Sequence, residues 1–478
     1  MSSNVVVRVR ATSPALEDGL ARIAAELDLP GGFPPEVVAA AEEAAADPIL
    51  PELDRTNLPF LTIDPEGSMD LDQALHIERA GEGFLVHYAI ADVAAFVKPG
   101  DPVDVEANRR VQTLYGAGTR IPLHPPELSE AAASLLPDQA RPALLWSISL
   151  DADGRQTDVR LERALVRSRK RWSYDEAHRA LGEGSAGEVL ELLREVGEKR
   201  VALEAARGGV SLPLPEQEIE VVDDGELRLE LREQKPVELW NAQISLLTGM
   251  AAGQLMLDGR VGLLRTLPPA DPRDVERLRR VARGLGIDWP AETPYPELVR
   301  SLDTTKAAHQ AMVVACTRLL RGSGYAAFDG AVPADPEHAA IAAPYAHATA
   351  PLRRLGDRYV GEVCLALCAG EQVPDWARSA LPVVRDRLED SNRVAGSYER
   401  AVLDLVEAAL LAHRVEEEFD AVVTSVRENE PTHGVVLVRE LGVEAPVVGT
   451  QPLPLGTDVR VRLTTADVVA RKVEFHLG

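Results

Sequence analysis

Residues 237–257, "VELWNAQISLLTGMAAGQLML", set the strongest limit on what this chain can fold into. Wound as a helix, they present apolar side chains nearly all the way round. The segment therefore predicts a helix buried on every side, inside a domain large enough to enclose it. The length of 478 residues allows such a domain with one or two small ones beside it. Apolar residues make up 45% and charged residues 27%, a globular rather than a disordered composition. No run of about 18 apolar residues occurs, so no membrane-spanning segment is expected. The opening "MSSNVVVRVRATSP" lacks the apolar run of a secretion signal. Three cysteines in no framework spacing suit a reducing compartment, and a cytoplasmic protein is expected.

Around the buried helix the texture changes along the chain. Residues 1–56 read as a small α/β lead-in: a strand in "NVVVRVRA", a helix in "SPALEDGLARIAAELDL" capped by Ser13, and a second helix in "PPEVVAAAEEAAAD". Residues 57 to about 150 are rich in strands, such as "GFLVHYAIADVAAFV" and "PALLWSISLDADG". After the Asp153-Gly154 turn, "TDVRLERALVRSR" alternates and reads as a strand paired back on its predecessor. From Tyr174 to about Arg207 the period is helical, ending at Gly208-Gly209, and helices broken by loops continue to about Phe419. The last 60 residues turn to short strands with turn residues between them, the pattern of a small OB-type barrel. The expected class is α+β: a lead-in over 1–56, a mixed catalytic domain over 57–415 and an all-β OB-fold barrel over 416–478. Cys364 and Cys368 lie four apart on one helix face, but no complementary His or Cys pair accompanies them, so they read as core residues.

The net charge is −25, from 76 acids and 51 bases, which argues against coating nucleic acid by bulk electrostatics. A local basic channel is still allowed. "RLERALVRSRKRW" gathers Arg160, Arg163, Arg167, Arg169, Lys170 and Arg171 against Glu162 alone. A solvated basic strand explains that run equally well.

Two stretches carry chemistry. "TIDPEGSMDLDQALHI" puts Asp64, Asp70 and Asp72 beside residues that read as buried sheet. Asp70 and Asp72 leave the same face of an extended segment, and the "DPEGS" turn can bring Asp64 back to them. Three converging carboxylates repel one another unless a cation sits between them. Hard oxygen ligands suit Mg²⁺ or Mn²⁺, ions that support phosphodiester hydrolysis. The plainer reading is an acidic surface loop; a calcium loop of the EF-hand type would need a Glu at its twelfth position. The second stretch, "YAHATAPLRRLGDRYV", places His347, Thr349, Arg353, Arg354 and Asp357 around Pro351. Guanidinium groups suit phosphate, and one facing a metal can neutralise charge that grows in a transition state. A helix start with a structural Arg–Asp pair is the competing reading.

Taken together, these motifs resemble the ribonuclease II / R family and its RNB catalytic domain. The family pattern has a Thr-Ile-Asp lead with aspartates six, eight and nine positions after that Asp; here those fall on Asp64, Asp70, Asp72 and Gln73. "HYAIADVAAFV" resembles its strand ending in Ala-Asp-Val, and "RIPLHPPELSEAAASLLPDQARPAL" its Pro-rich loop. "HATAPLRRLGDR" resembles its His-x-Thr-x-Pro-Ile-Arg-Arg-x-x-Asp signature, with Leu352 for Ile. The resemblance covers about residues 57–415, and the terminal barrel fits as an OB-fold RNA-binding domain.

The resemblance implies a 3′-to-5′ exoribonuclease, a monomer, that acts on single-stranded RNA with Mg²⁺ or Mn²⁺ and releases nucleoside 5′-monophosphates. It assigns Asp64, Asp70 and Asp72, with Gln73, to the metal, and Arg353 to the scissile phosphate. Tyr174 becomes the aromatic that stacks on the terminal base. Arg167, Arg169, Lys170, Arg171, His347, Thr349 and Arg354 become RNA contacts, and Glu238 an acid near the site. The sequence also departs from the pattern. Gln73 replaces the fourth aspartate and in a regular strand faces away from Asp70 and Asp72. Leu212 stands where the family has a second stacking aromatic, and residues 1–56 have no room for two cold-shock barrels. A non-catalytic RNA-binding protein on the same scaffold, and a nuclease for DNA or short oligonucleotides, are the alternatives.

Overall fold

The computed structural model describes residues 7–9, 14–117, 119–213, 216–221, 227–232, 234–304, 306–427, 429–438, 441 and 443–478. Ser13, expected to cap a helix, lies outside them. The lead-in forms a short strand, Val7–Val9, and two helices, α1 (Pro14–Glu26) and α2 (Pro35–Ala46). The spacing of Leu16, Leu20 and Ile23 gives α1 one apolar stripe, and all three are buried.

The strand-rich region forms a closed five-stranded barrel: β1 (Phe60–Asp64), β2 (Gln73–Ala80), β3 (Gly83–Ala91), β4 (Ala140–Leu150) and β5 (Gln156–Ser173). As expected, β5 returns antiparallel on β4, from Leu150↔Gln156 to Ala140↔Arg167. It then closes the barrel by pairing in parallel with β1, from Phe60↔Ser168 to Asp64↔Ser173. Alternate residues serve two cores. Leu75, Ile77, Val86, Tyr88, Trp146 and Ile148 join the main core with the surrounding helices, while Phe60, Ala74, Ala89, Ala143 and Leu145 belong to a second.

The helical stretch after β5 is two helices, α3 (Tyr174–Glu183) and α4 (Glu188–Ala206). Ser173 and Glu176 form a reciprocal capping box at the start of α3, and Gly184 ends it in the left-handed conformation. The apolar segment that opened the sequence reading is α5 (Pro236–Gly259), and Ile244, Leu247, Ala252 and Met256 are fully buried along it. Residues beyond it are not all helical, contrary to expectation. Val261–Thr266 and Gly324–Asp329 pair as antiparallel strands. "VGLLRT" is an apolar run that periodicity alone cannot separate from a helix, and its partner is distant in sequence. Next come α6 (Leu355–Ala369) and α7 (Asp375–Leu411), the latter packing α1 against Tyr398, Val402 and Leu405. Cys364 is buried in the main core, as the sequence suggested.

The expected OB-type barrel is present: β6 (Glu418–Arg427), β7 (Glu430–Val438), β8 (Val443–Gly449), β9 (Asp458–Asp467) and β10 (Lys472–Leu477), with neighbour order β6-β7-β8-β10-β9. Its core of Phe419, Val423, Val436, Leu463 and Phe475 extends onto Ala408 and Leu411 of α7. Among the described residues, no helix is long and apolar enough to cross a membrane.

Candidate active site

Parallel strands finish at the same end of a barrel. Because β5 runs alongside β1, Asp64 at the end of β1 is level with Ser173, and Tyr174 follows at once as the first residue of α3. β2 runs antiparallel to β1, so its first residue, Gln73, starts at that same rim. Asp70 and Asp72 lie in the loop that leads into β2. The topology alone thus gathers Asp64, Asp70, Asp72, Gln73 and Tyr174.

That loop is fixed by its backbone. The Ser134 hydroxyl, from the Pro-rich segment, donates to the Met69 carbonyl (2.6 Å) and accepts from the Leu71 N–H (2.9 Å). Leu135 N–H donates to the Leu71 carbonyl, and Ala91 N–H to the Asp72 carbonyl. The second motif reaches the rim from far along the chain. Leu352 N–H donates to Asp72 Oδ1 at 2.8 Å, and Arg353 Nε lies 3.2 Å from Asp72 Oδ2. Asp357 holds this segment in shape: it accepts from Ala350 N–H (2.7 Å) and from the fork of Arg354 (2.9 and 2.7 Å). The Arg353 side chain remains 43% exposed, against 5% for Asp72, so it can still meet a ligand. A half-open cavity of about 150 Å³ adjoins it, lined by Tyr115, Arg353, Tyr398 and Glu399 among others.

The rim is under-neutralised. Burial pushes the Asp64 carboxyl up to about 7; Asp70 adds to the rise, while Arg353 and Arg171 oppose it. Burial likewise raises Asp72 to about 7, against the pull of Arg353 and the Leu352 N–H. Buried carboxylates held this way are short of positive charge, and their hard oxygens suit Mg²⁺ or Mn²⁺. The expected convergence on one point is incomplete. Asp70 turns to Arg120, 3.2 Å away, which also pairs with Glu130, and Asp72 is engaged by Arg353. Among the described residues, no three acid, imidazole or thiol groups are gathered tightly enough to enclose an ion. The donor chemistry fits a divalent cation, with Arg120 as the charge it would displace from Asp70.

Comparison with known proteins decides the family. Residues 53–368 match the RNB domain, and residues 417–477 match the RNase II-type exonuclease C-terminal S1 domain. The chain belongs to the RNB family. It is similar to Exoribonuclease 2 of Serratia proteamaculans, 29% identical over 427 residues that cover 85% of this chain and 63% of that protein. The chain thus spans less than two thirds of that relative's length. Its fold is shared with Mycoplasma genitalium RNase R, solved in complex with ribose-methylated single-stranded RNA (TM-score 0.85, 19% identity, 97% of this chain and 78% of that one). It is also shared with yeast Ssd1, described as a pseudonuclease (TM-score 0.70, 17% identity, 91% and 56%).

Against the RNB pattern, the individual residues divide. Tyr174 is half-buried beside Asp64 and bonded to the Asn241 side chain, and burial raises its phenol to about 12. Arg171 is exposed, donates to the Ser68 carbonyl (2.8 Å) and lowers Asp64 electrostatically. Arg169 donates to the Thr56 carbonyl, and Lys170 sits over the Trp172 ring at 3.2 Å. Arg167 lies farther back on β5, in the field of Asp54.

Three residues expected on the RNA are engaged in the framework instead. Thr349 is 4% exposed. Arg354 is committed to Asp357. His347 packs edge-on against Tyr325 and Tyr345, with Nδ1 3.1 Å from Tyr325 Oη, and burial holds it well below the usual imidazole range. Its ring is thus held by framework partners. Glu238 is also committed: Arg232 holds it in a fork at 2.7 and 2.8 Å. Leu212 packs on the aliphatic cluster around Val210 and Leu278.

The sequence reading missed Tyr115 and Arg120, which face each other on a short hairpin at this rim. Tyr115 is 48% exposed and stands in the field of Arg353, Asp70 and Asp72. The signal was present, since Arg120 begins the Pro-rich motif. Tyr88 was missed too. Its phenol, which burial keeps protonated, donates to Gln73 Oε1 at 2.6 Å. Gln73 starts the strand, and its side chain is bonded to Tyr88 and to the Thr349 carbonyl.

Proposed function

We propose that the chain is a 3′-to-5′ exoribonuclease that hydrolyses single-stranded RNA to nucleoside 5′-monophosphates with Mg²⁺ or Mn²⁺, working in the cytoplasm. One observation carries the reading: a buried and a half-buried carboxylate, both pushed up to about 7, face a partly exposed arginine at a single barrel rim. Asp64, Asp70 and Asp72 would hold the cation, which would supply activation of water and stabilisation of charge on the phosphate. Arg353 meets the scissile phosphate from the other side, and Leu352 N–H fixes the orientation of Asp72. Tyr174 offers its ring to the terminal base, a contact tolerant of sequence. RNA binding is further supported by the RNase R relative solved with single-stranded RNA.

The second reading is an RNA-binding protein without nuclease activity. It is favoured by Gln73 at an aspartate position and by the likeness to a pseudonuclease. Incubation of 5′-labelled poly(A) with the chain and either metal separates the two. Laddered shortening from the 3′ end is the expected result; binding without shortening in Mg²⁺ and Mn²⁺ alike would sink the nuclease reading.

A further inference from the structure

Gln73 is the residue that the metal reading leaves least explained. Both ends of its amide are engaged. Nε2 donates to the Thr349 carbonyl at 2.6 Å, and Oε1 accepts from Tyr88 Oη at 2.6 Å. A carbonyl can only accept, so the Thr349 contact fixes which end of the amide carries the hydrogens. With its proton given to Gln73, Tyr88 Oη accepts in turn from Ser245 Oγ, 2.8 Å away on α5. A polar chain therefore runs Ser245–Tyr88–Gln73–Thr349, joining α5, β3, β2 and the segment before α6.

The far end of that chain matters most. Thr349 lies three residues before Leu352 and four before Arg353, and both of those touch Asp72. The segment is tied at Ala350 by Asp357, at Leu352 by Asp72 and at Thr349 by Gln73. Gln73 is the tie that comes from the barrel strand adjoining Asp72. Its side chain is bonded to Tyr88, which in turn is bonded to Ser245 of α5.

We propose that Gln73 is a positioning residue: its amide locks the Thr349–Arg353 segment onto the barrel so that Arg353 and the Leu352 amide stay in register with Asp72, and it is not a metal ligand. The proposal rests on the nuclease reading for the role of Arg353. An aspartate here would be one methylene shorter and, when ionised, acceptor-only. It could not donate to the Thr349 carbonyl.

The test uses Gln73→Met, which keeps length without either hydrogen bond, with Tyr88→Phe as the milder variant and circular dichroism to confirm folding. Mn²⁺ affinity and its electron paramagnetic resonance spectrum are read alongside RNA affinity and hydrolysis. Gln73→Met is expected to lose up to about 100-fold in kcat, the scale set by a catalytic group misplaced by about 1 Å. Mn²⁺ affinity and spectrum should stay unchanged. In an Arg353→Ala background the same change should cost nothing more, because its effect runs through Arg353. Tyr88→Phe should lose in the same direction by less. Gln73→Asp should behave like Gln73→Met. A tenfold or larger change in Mn²⁺ affinity in Gln73→Met, full additivity with Arg353→Ala, or Gln73→Asp exceeding the parent chain would each overturn the proposal. If the parent hydrolyses no RNA, the nuclease reading falls separately. The Mn²⁺ data, with RNA affinity compared across Gln73→Met, Arg353→Ala and the double variant, then decide the role of Gln73.

Discussion

The described residues contain two closed five-stranded barrels, and they place their charge differently. On the terminal barrel, bases sit beside acids: Arg460 and Arg462 with Glu418, Arg427 with Glu430, Lys472 with Glu474. Both of its phenylalanines, Phe419 and Phe475, are buried in its core. At the rim of the first barrel, buried Asp72 and half-buried Asp64 are raised to about 7 beside two tyrosines and an arginine that stay accessible or half-buried, whereas in the terminal barrel burial alone raises Glu444 to about 7. Each barrel has one parallel strand pair. In the first it ends at Asp64 and Ser173; in the second, at Gly449 and Leu477. The same closure carries acids and an exposed arginine at one rim and ends on Gly449 and Leu477 at the other. Side chains at the strand ends make the difference, and architecture does not.

The sharpest way to test that contrast is Asp72→Asn. It should abolish hydrolysis, by about 10²-fold or more, while RNA still binds, assayed on labelled poly(A); unchanged cleavage would remove the rim's chemical role. Arg353→Ala should follow, with a loss of similar or somewhat smaller size, and Arg353→Lys should rescue little, since an ammonium cannot reproduce the guanidinium fork. Tyr174→Ala should weaken RNA binding by about 1–3 kcal/mol, read from KM or direct titration.

A pH-dependent test comes next. Asp64 and Asp72 titrate near 7 when folded and near the usual carboxylate value of about 4 when unfolded. The folded state thus binds more protons between those values, and stability falls as pH rises through that window. Mn²⁺ should restore it, so its increment in Tm should grow from pH 5 to pH 8; an increment independent of pH would contradict the under-neutralised rim. The smallest effect should come from Arg460→Ala. Its pair with Glu418 is exposed and contributes about 0–1 kcal/mol at most. RNA affinity lost there to the same extent as in Tyr174→Ala would break the contrast between the barrels.

Much of this was readable in the sequence where local pattern carries the information. The apolar circumference of α5, the return of β5 after Asp153-Gly154 and the short strands after residue 417 all follow from periodicity and turn chemistry. The candidate site was readable as residue types, since acids in sheet and paired arginines are costly unless used. What stayed hidden depends on distant partners. "VGLLRT" is a strand only because Gly324–Asp329 pairs with it. His347, Thr349 and Arg354 looked like ligand groups beside Arg353, yet tertiary neighbours turn them inward. Arg120 gains meaning only from Asp70, fifty residues earlier in the chain.

The closure of the first barrel also sets when the site can exist. β1 waits for β5 roughly a hundred residues later, and Asp72 meets the Leu352 amide across 280 positions. Contacts so remote form late, because the loop must close before any reward arrives. During synthesis the aspartates emerge from the ribosome well ahead of the arginine that completes them. A growing chain stopped before Leu352 therefore carries the acids but lacks the partners that organise them.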